Sequence, residues 1–190
     1  MNYLSKRSFI GMLVLTTLAL SQMISSAGPA TEASLIADLS SSKQGTVTDA
    51  LQKLEKEYPT STNAHDAIKK LLADPRPKVA RKAARVLGAV HAPVDQKDID
   101  NICALLKSSN VDEVTDGLKA LRGLNAPSAV PQILPVLKSP TPNLVRDACR
   151  TLAVLGDKSL IPTIEPLLKD PNPKVQKDAQ DAIFALKAKS

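Results

Sequence analysis

Apolar residues recur along the chain in two alternating spacings. In one segment Ile68 and Leu72 lie four residues apart, which predicts one face of a short helix. In the next segment Val79, Ala83 and Leu87 follow at intervals of four, which predicts a longer helix with one apolar stripe. We name these segments helix A and helix B. The pattern therefore predicts alternating short and long helices.

The A–B pattern repeats at intervals of 31 to 34 residues. An offset of 31 aligns residues 126–155 with residues 157–186, so that prolines, aspartates and apolar residues coincide. Earlier steps of 31, 34 and 33 keep the apolar columns. Periods of about 20 to 50 residues indicate a stacked array. The predicted units are a degenerate N-terminal capping repeat at residues 28–60 and repeats at residues 61–93, 94–126, 127–157 and 158–190.

Prolines separate the two helices of a unit. Residues 74–77 and 170–173 both read Asp-Pro-x-Pro between the A and B segments. Proline is tolerated in the first turn of a helix but not in its interior, so these residues should end helix A and start helix B. Pro135 and Pro166 fall inside the A segments. We expect them to kink those helices.

Small residues occupy two further kinds of position in the B helices. One column is expected to mark the closest approach of two helix backbones: Ala83, Gly117, Ala148 and Ala179. Three glycines stand near the ends of B helices, where we expect C-terminal caps: Gly88, Gly123 and Gly156.

Asp-Pro-x-Pro, followed by Val, Ala and Leu four apart and by Leu-Gly-Asp, resembles the HEAT-repeat family. Residues 170–186 and 152–157 carry this likeness, and the unit of about 31 residues is similar to the phycobilisome-lyase-type subgroup. The resemblance implies an all-α, right-handed α-solenoid of about five two-helix HEAT-like repeats. It implies little about function, because one fold hosts unrelated sites. The Arg that usually follows the helix B Val is replaced by Ala80, Val114, Val145 and Gln176.

The first 27 residues have the pattern of a signal peptide. Lys6 and Arg7 precede an apolar run at residues 9–20, and Ala27 completes a small-residue cleavage site. The run is shorter than the roughly 20 residues that a membrane span requires. We expect cleavage near Ala27 and export to the periplasm or the medium; an uncleaved anchor is the alternative.

Composition argues against an enzyme. Aromatic residues make up only 2% of the chain, which weakens any function built on stacking platforms. His65 and His91 lack the spacing of metal ligands. Residues 40–43 contain S-x-x-K, but the partner motifs S-D-N and K-T-G are missing, so a turn is the better interpretation. We expect no catalytic residue, no metal site and no cofactor.

The two cysteines fall at or beside apolar positions. Cys103 adjoins Ile102 in an A helix, and Cys149 follows Ala148 in a B helix. We expect two buried free thiols, although an oxidising compartment would allow them to pair.

Basic residues recur on one stripe of the B helices. The candidate binding residues, which we name the basic strip, are Arg81, Arg85, Lys119, Arg146, Arg150 and Lys177. Asp116, Asp147 and Asp178 flank the strip, and Arg150 can pair with Asp147 at i, i+3. Two interpretations stay open. The strip is a solvated face with local ion pairs, or it faces a ligand on the concave side of the array.

These observations favour an exported, monomeric, non-enzymatic scaffold that binds a protein or peptide on the concave helix B face. The alternative is a polyanion or nucleic-acid binder that uses the basic strip, since phosphate contacts need only positive charge at helical spacing. A lyase-type activity or a chaperone role, which the repeat subgroup suggests by name, is the third hypothesis.

Overall fold

The computed structural model describes residues 30–189, and within them ten α-helices occur and no strand. The A helices are the odd-numbered ones: α1 (Glu32–Asp38), α3 (His65–Lys70), α5 (Gln96–Leu105), α7 (Val130–Ile133) and α9 (Ile161–Ile164). The B helices are the even-numbered ones: α2 (Gln44–Glu57), α4 (Pro77–Ala89), α6 (Val111–Gly123), α8 (Pro142–Leu155) and α10 (Pro173–Lys187). The predicted all-α solenoid is confirmed. The predicted signal peptide at residues 1–27 lies outside the described residues.

The B helices form one continuous row. Helix α2 packs on α4, α4 on α6, α6 on α8, and α8 on α10. The A helices contact one another far less. Because the B helices approach one another more closely, their row lies on the inner, concave side of the stack. Within residues 30–189, no helix is long and apolar enough to cross a membrane.

The predicted apolar columns form the core. Ile68 is 2% exposed and Leu87 is fully buried, and their counterparts in the later repeats are similar. The fully or almost fully buried members of these two columns are Ile68, Ile102, Ile133, Ile164, Leu87, Leu121 and Leu152. Leu168, in the last described repeat, is 40% exposed, whereas its counterparts Leu72 and Leu137 are 7% exposed. The last repeat therefore leaves apolar surface open.

Prolines start three of the five B helices, as the sequence predicts. Pro77, Pro142 and Pro173 are the first residues of α4, α8 and α10. The predicted kinks at Pro135 and Pro166 are wrong. Each short α-helix instead ends before the proline and continues as a 3-10 segment, Leu134–Lys138 or Glu165–Lys169. Proline lacks an N–H and its ring crowds the preceding turn, so the α-helix ends there and the tighter helix takes over.

The glycines do not supply the expected left-handed caps. Gly88 and Gly123 lie inside α4 and α6, and no described glycine has a positive φ. Gly156 is the C-cap residue of α8, at φ −86°. The left-handed residues are His91, with φ 49°, and Asn125, with φ 50°. Each follows a B helix, so these two side chains stand where glycine is usual.

One arginine joins the first two repeats at their A–B loops. The guanidinium of Arg76 donates to the carbonyl oxygens of Ser41 and Ser42, at 3.2 and 3.0 Å. It also forms a forked pair with Asp74, at 2.7 and 2.8 Å, and this hydrogen bonding lowers the pKa of the Asp74 carboxyl. Both contacts hold the start of α4 against the preceding repeat.

Both cysteines are free, buried thiols. Cys103 is 5% exposed and Cys149 is fully buried. Burial raises the pKa of Cys103 to about 11 and that of Cys149 to about 12, because desolvation disfavours the thiolate.

Thiol labelling should therefore require unfolding. At pH 8 we expect no more than about a thousandth of either thiol to be ionised, so both should resist a thiol reagent in the folded protein. Addition of denaturant should release two reactive thiols. Labelling of either cysteine at the rate of a free thiol, without denaturant, would contradict the burial of these side chains.

Candidate functional site

All six residues of the basic strip lie on B helices, and most of them face neighbouring B helices rather than open solvent. Arg146 and Arg150 of α8 share one carboxylate of α10. Arg146 Nε lies 2.7 Å from Asp178 Oδ2, and Arg150 Nη2 lies 3.1 Å from the same oxygen. Asp178 is only 6% exposed. Arg150 also pairs with Asp147 at 3.6 Å, which confirms the predicted i, i+3 contact.

The arginines of α4 are paired as well. Arg81 lies 3.2 Å from both Asp112 and Asp116 of α6. Arg85 reaches in the other direction, and its Nη2 donates to Glu55 Oε2 of α2 at 2.8 Å. The strip therefore alternates in charge from helix to helix.

The two lysines of the strip are more exposed. Lys177 pairs within its own helix with Asp181, at 2.9 Å, and this hydrogen bond raises the pKa of Lys177. Lys119 of α6 is exposed and makes no ion pair with any residue of the described range. Five of the six predicted cations are thus neutralised by carboxylates. The local-ion-pair interpretation describes most of the strip, and most of its pairs join consecutive repeats.

The shared carboxylate Asp178 provides a stability test. In the Arg146→Ala, Arg150→Ala variant it would be buried and unpaired, so we expect the free energy of unfolding to fall by about 1 to 2 kcal/mol. Removing the acid too, with Asp178→Asn, should recover most of that loss. Urea denaturation of both variants measures the difference. Equal losses would show that Asp178 does not depend on the arginines.

A polar cleft of about 360 Å³ opens between α2, α4 and α6. Its walls contain four cations, two acids and two neutral polar residues: Lys78, Arg81, Lys82, Arg85, Asp49, Asp116, Thr48 and Gln52. Lys82 was not part of the predicted strip. Its side chain is 17% exposed, and its nearest carboxylate is Glu55, at 3.9 Å. Burial, reinforced by the charge of Arg85, lowers the pKa of Lys82.

The sequence contains the signal for Lys82. One position after the strip, the B helices of the last three repeats carry Asp116, Asp147 and Asp178, and the same column holds Asp49 in α2. Lys82 is the one basic residue in this acidic column. Reading that column as well as the strip would have singled it out.

The two histidines lie where the sequence predicts them. His65 begins α3 and is 8% exposed, and neither of its ring nitrogens has a hydrogen-bond partner. His91 follows α4, and its Nδ1 lies 2.6 Å from the carbonyl oxygen of Gly123. Because a carbonyl only accepts, Nδ1 must carry the proton and donate it. His91 thus caps the end of the neighbouring B helix. Within the described part of the chain, no three metal-ligating side chains cluster.

A second opening lies on the helix A side. A groove of about 440 Å³ runs between α5 and the 3-10 segment Leu134–Lys138. Its lining is mainly apolar and includes Cys103, Leu106, Val136 and Leu144. No sequence pattern indicated this groove, because its walls come from two consecutive repeats.

Comparison with known proteins agrees with this architecture. A family model described as HEAT repeats matches residues 117–187. The chain has the fold of HEAT- and armadillo-type solenoids. It is similar to a chain in the complex of CpcE and CpcF of phycocyanin lyase from Nostoc sp. PCC7120, with a TM-score of 0.71 and 22% identity over 87% of this chain and 68% of that chain.

Two designed armadillo repeat proteins are also similar. One was designed for modular peptide recognition and has a TM-score of 0.61 and 16% identity, over 80% of this chain and 81% of that chain. The other, in complex with the peptide (KR)4, has a TM-score of 0.64 and 16% identity, over 95% of each chain. No curated protein matches the sequence. At these identities the likeness shows the fold alone.

Proposed function

We propose that this chain is an exported, non-enzymatic scaffold that binds a protein or an extended peptide on its concave helix B face. The observation that carries the proposal is the continuous row of five B helices, which presents charged side chains from one repeat to the next and opens a polar cleft between α2, α4 and α6. Solenoids present long, regular concave surfaces that suit such partners. The similar armadillo proteins designed for peptide recognition support the same use of the fold.

The non-enzymatic part of the proposal rests on the histidines. His91 donates to a helix carbonyl, and His65 is buried at the start of α3. General acid–base catalysis needs a titratable group within reach of a bound substrate, and neither ring is placed for that. The similarity to a chain of the lyase complex is a likeness of fold, so it carries no activity to this chain.

The ion pairs of the strip argue against the polyanion alternative. Phosphate backbones bind to cations that are free to replace counterions. Here Arg81, Arg146 and Arg150 already contact carboxylates at 3.2 Å or less. A polyanion would have to displace these acids along the whole row. A partner with mixed polar chemistry fits the face better.

Site-specific photo-crosslinking tests which face binds. Lys119, exposed on α6, and Lys97, exposed on α5, would each be replaced in turn by p-benzoylphenylalanine in the full chain. After irradiation in native envelope extract, we expect one dominant adduct from position 119 and none from position 97. The same adducts from both positions, or adducts from position 97 alone, would contradict binding on the helix B face.

Export has its own test. If residues 1–27 are removed, the mature protein should begin at Gly28 or within a few positions of it. N-terminal sequencing of the protein from the native cell measures this. An intact Met1 on protein from the cytosolic fraction would contradict export and would leave the binding face unaffected.

A further inference from the structure

We propose that the cleft between α2 and α4 binds a carboxylate, so that the partner presents an acidic side chain, Asp or Glu, at the second repeat. This inference rests on the proposed function, because it names the chemistry that the concave face recognises. The site consists of Lys82, Lys78 and the neutral residues Thr48 and Gln52. Neither the basic strip nor its ion pairs account for it.

The register of the B helices shows what this cleft lacks. At two later junctions, an Arg of one B helix pairs with an Asp of the next: Arg81 with Asp116, and Arg146 with Asp178. At the α2–α4 junction the matching positions hold Thr48 and Lys82. The carboxylate that the later junctions supply from within the chain is replaced here by an ammonium. This junction is therefore short of one negative charge.

The charge of Lys82 is poorly compensated inside the protein. Its nearest carboxylate oxygen, Glu55 Oε2, is 3.9 Å away and accepts a hydrogen bond from Arg85 at 2.8 Å. The ammonium is mostly buried, since its side chain is 17% exposed, and a buried charge without a close partner is costly. A ligand oxygen beside Lys82 would remove that cost. The lowered pKa of Lys82 agrees with this geometry.

The rest of the cleft suits a carboxylate. Lys78, exposed at the mouth, makes no ion pair with any residue of the 30–189 range and can contact an entering anion. Gln52 lines the opposite wall and offers an amide donor. The Thr48 hydroxyl donates to the carbonyl of Gly45 at 3.0 Å and keeps lone pairs for a further donor. A side-chain carboxylate can thus be held from both helices.

The acids of the cleft favour one isolated carboxylate over a run of phosphates. Asp49 and Asp116 stand in the same walls, on α2 and α6. They would repel successive charges of a nucleic-acid backbone, whereas a single carboxylate between uncharged residues avoids them. A peptide with spaced acidic residues is therefore the expected ligand.

A titration with a defined probe tests the inference. The probe is a fluorescently labelled (Glu-Ser)5 peptide, and (Gln-Ser)5 and a ten-nucleotide oligothymidine are compared with it. Fluorescence anisotropy is followed at ionic strengths of about 50 and about 150 mM, since screening should weaken a true charge contact. We expect wild type to bind (Glu-Ser)5 more tightly than either comparison ligand.

Two matched variants locate the site. Lys78→Gln with Lys82→Gln should weaken binding of (Glu-Ser)5 by about tenfold or more, because both cations contact the carboxylate. Lys174→Gln with Lys187→Gln removes the same net charge from α10, where Lys174 is the counterpart of Lys78, and should change binding by less than about twofold. Equal affinities for the two double variants would overturn the site.

The remaining outcomes are also decisive. If the oligothymidine binds as tightly as (Glu-Ser)5 and loses affinity in the same variant, the ligand class is wrong. If wild type does not bind (Glu-Ser)5, the inference fails, whereas crosslinking from position 119 would still support the helix B face as a binding surface. Should the double variant lose its helical circular dichroism, Lys78→Gln alone, which changes an exposed residue, carries the test with an expected loss of about threefold.

Discussion

Leu152→Ala should lower the free energy of unfolding by about 2 to 5 kcal/mol. Leu152 is fully buried on α8 and lies in the column of Leu87 and Leu121, which are also fully buried. Truncation removes apolar contact and leaves a cavity that the neighbouring helices fill only in part. Because each repeat is stabilised through its neighbours, the loss should weaken both sides of the stack.

Urea denaturation followed by circular dichroism measures this loss, and the same helix supplies a control. Val154 is 46% exposed, so Val154→Ala should change the free energy of unfolding by no more than about 0.5 kcal/mol. Similar losses for the two variants, or a loss under about 1 kcal/mol for Leu152→Ala, would show that the Leu152 column is not core.

The fold could be predicted from the sequence for a plain physical reason. A helix that buries one face must repeat apolar residues along that face, so burial leaves a record in the sequence. Ile68 and Leu87 head two such columns, and both are buried. Prolines at helix starts leave a similar record, since few other positions tolerate them. These signals are local, and local signals can be read from one chain.

The ion pairs left a weaker record because they join residues of different repeats. Arg146 and Asp178 are 32 positions apart, and their contact depends on how far α10 is displaced along α8. A charge column shows which residues share a face but not which of them meet. The acids beside the basic strip were visible in the sequence. Their pairing across helices required the packed structure.

The glycines of the B helices were misread for a related reason. Near a helix end, glycine normally signals a left-handed cap. In this chain His91 and Asn125 take the left-handed conformation instead. Ala92 N–H then donates to Leu87 O at 3.0 Å, and Ala126 N–H to Leu121 O at 3.2 Å, which closes both helix ends. This leaves Gly88 and Gly123 for another purpose, namely close packing of α4 on α6.

Gly123→Ala should destabilise the protein by about 3 kcal/mol, because α4 and α6 touch backbone to backbone. A Cβ at Gly123 would lie 2.8 Å from the carbonyl carbon of Gly88, and a Cβ at Gly88 would lie 2.7 Å from the Cα of Ala120. Both contacts are far shorter than van der Waals separation. They involve main-chain atoms, so no change of rotamer can relieve them, and the two helices must move apart.

Helix propensity alone predicts the opposite sign, which makes this substitution a sharp test. Alanine is favoured over glycine inside a helix by about 0.8 to 1 kcal/mol. A Cβ at Gly45, in α2, would have no atom within 4 Å beyond its own helix backbone and chain neighbours, so Gly45→Ala should leave stability unchanged or raise it by up to about 1 kcal/mol. Thermal and urea denaturation of both variants compare them directly. If Gly123→Ala matched Gly45→Ala, the α4 and α6 backbones would not be in contact at Gly123. A loss confined to Gly123→Ala would show that this glycine permits the close stacking that brings Arg81 of α4 to Asp116 of α6, and with it one wall of the cleft.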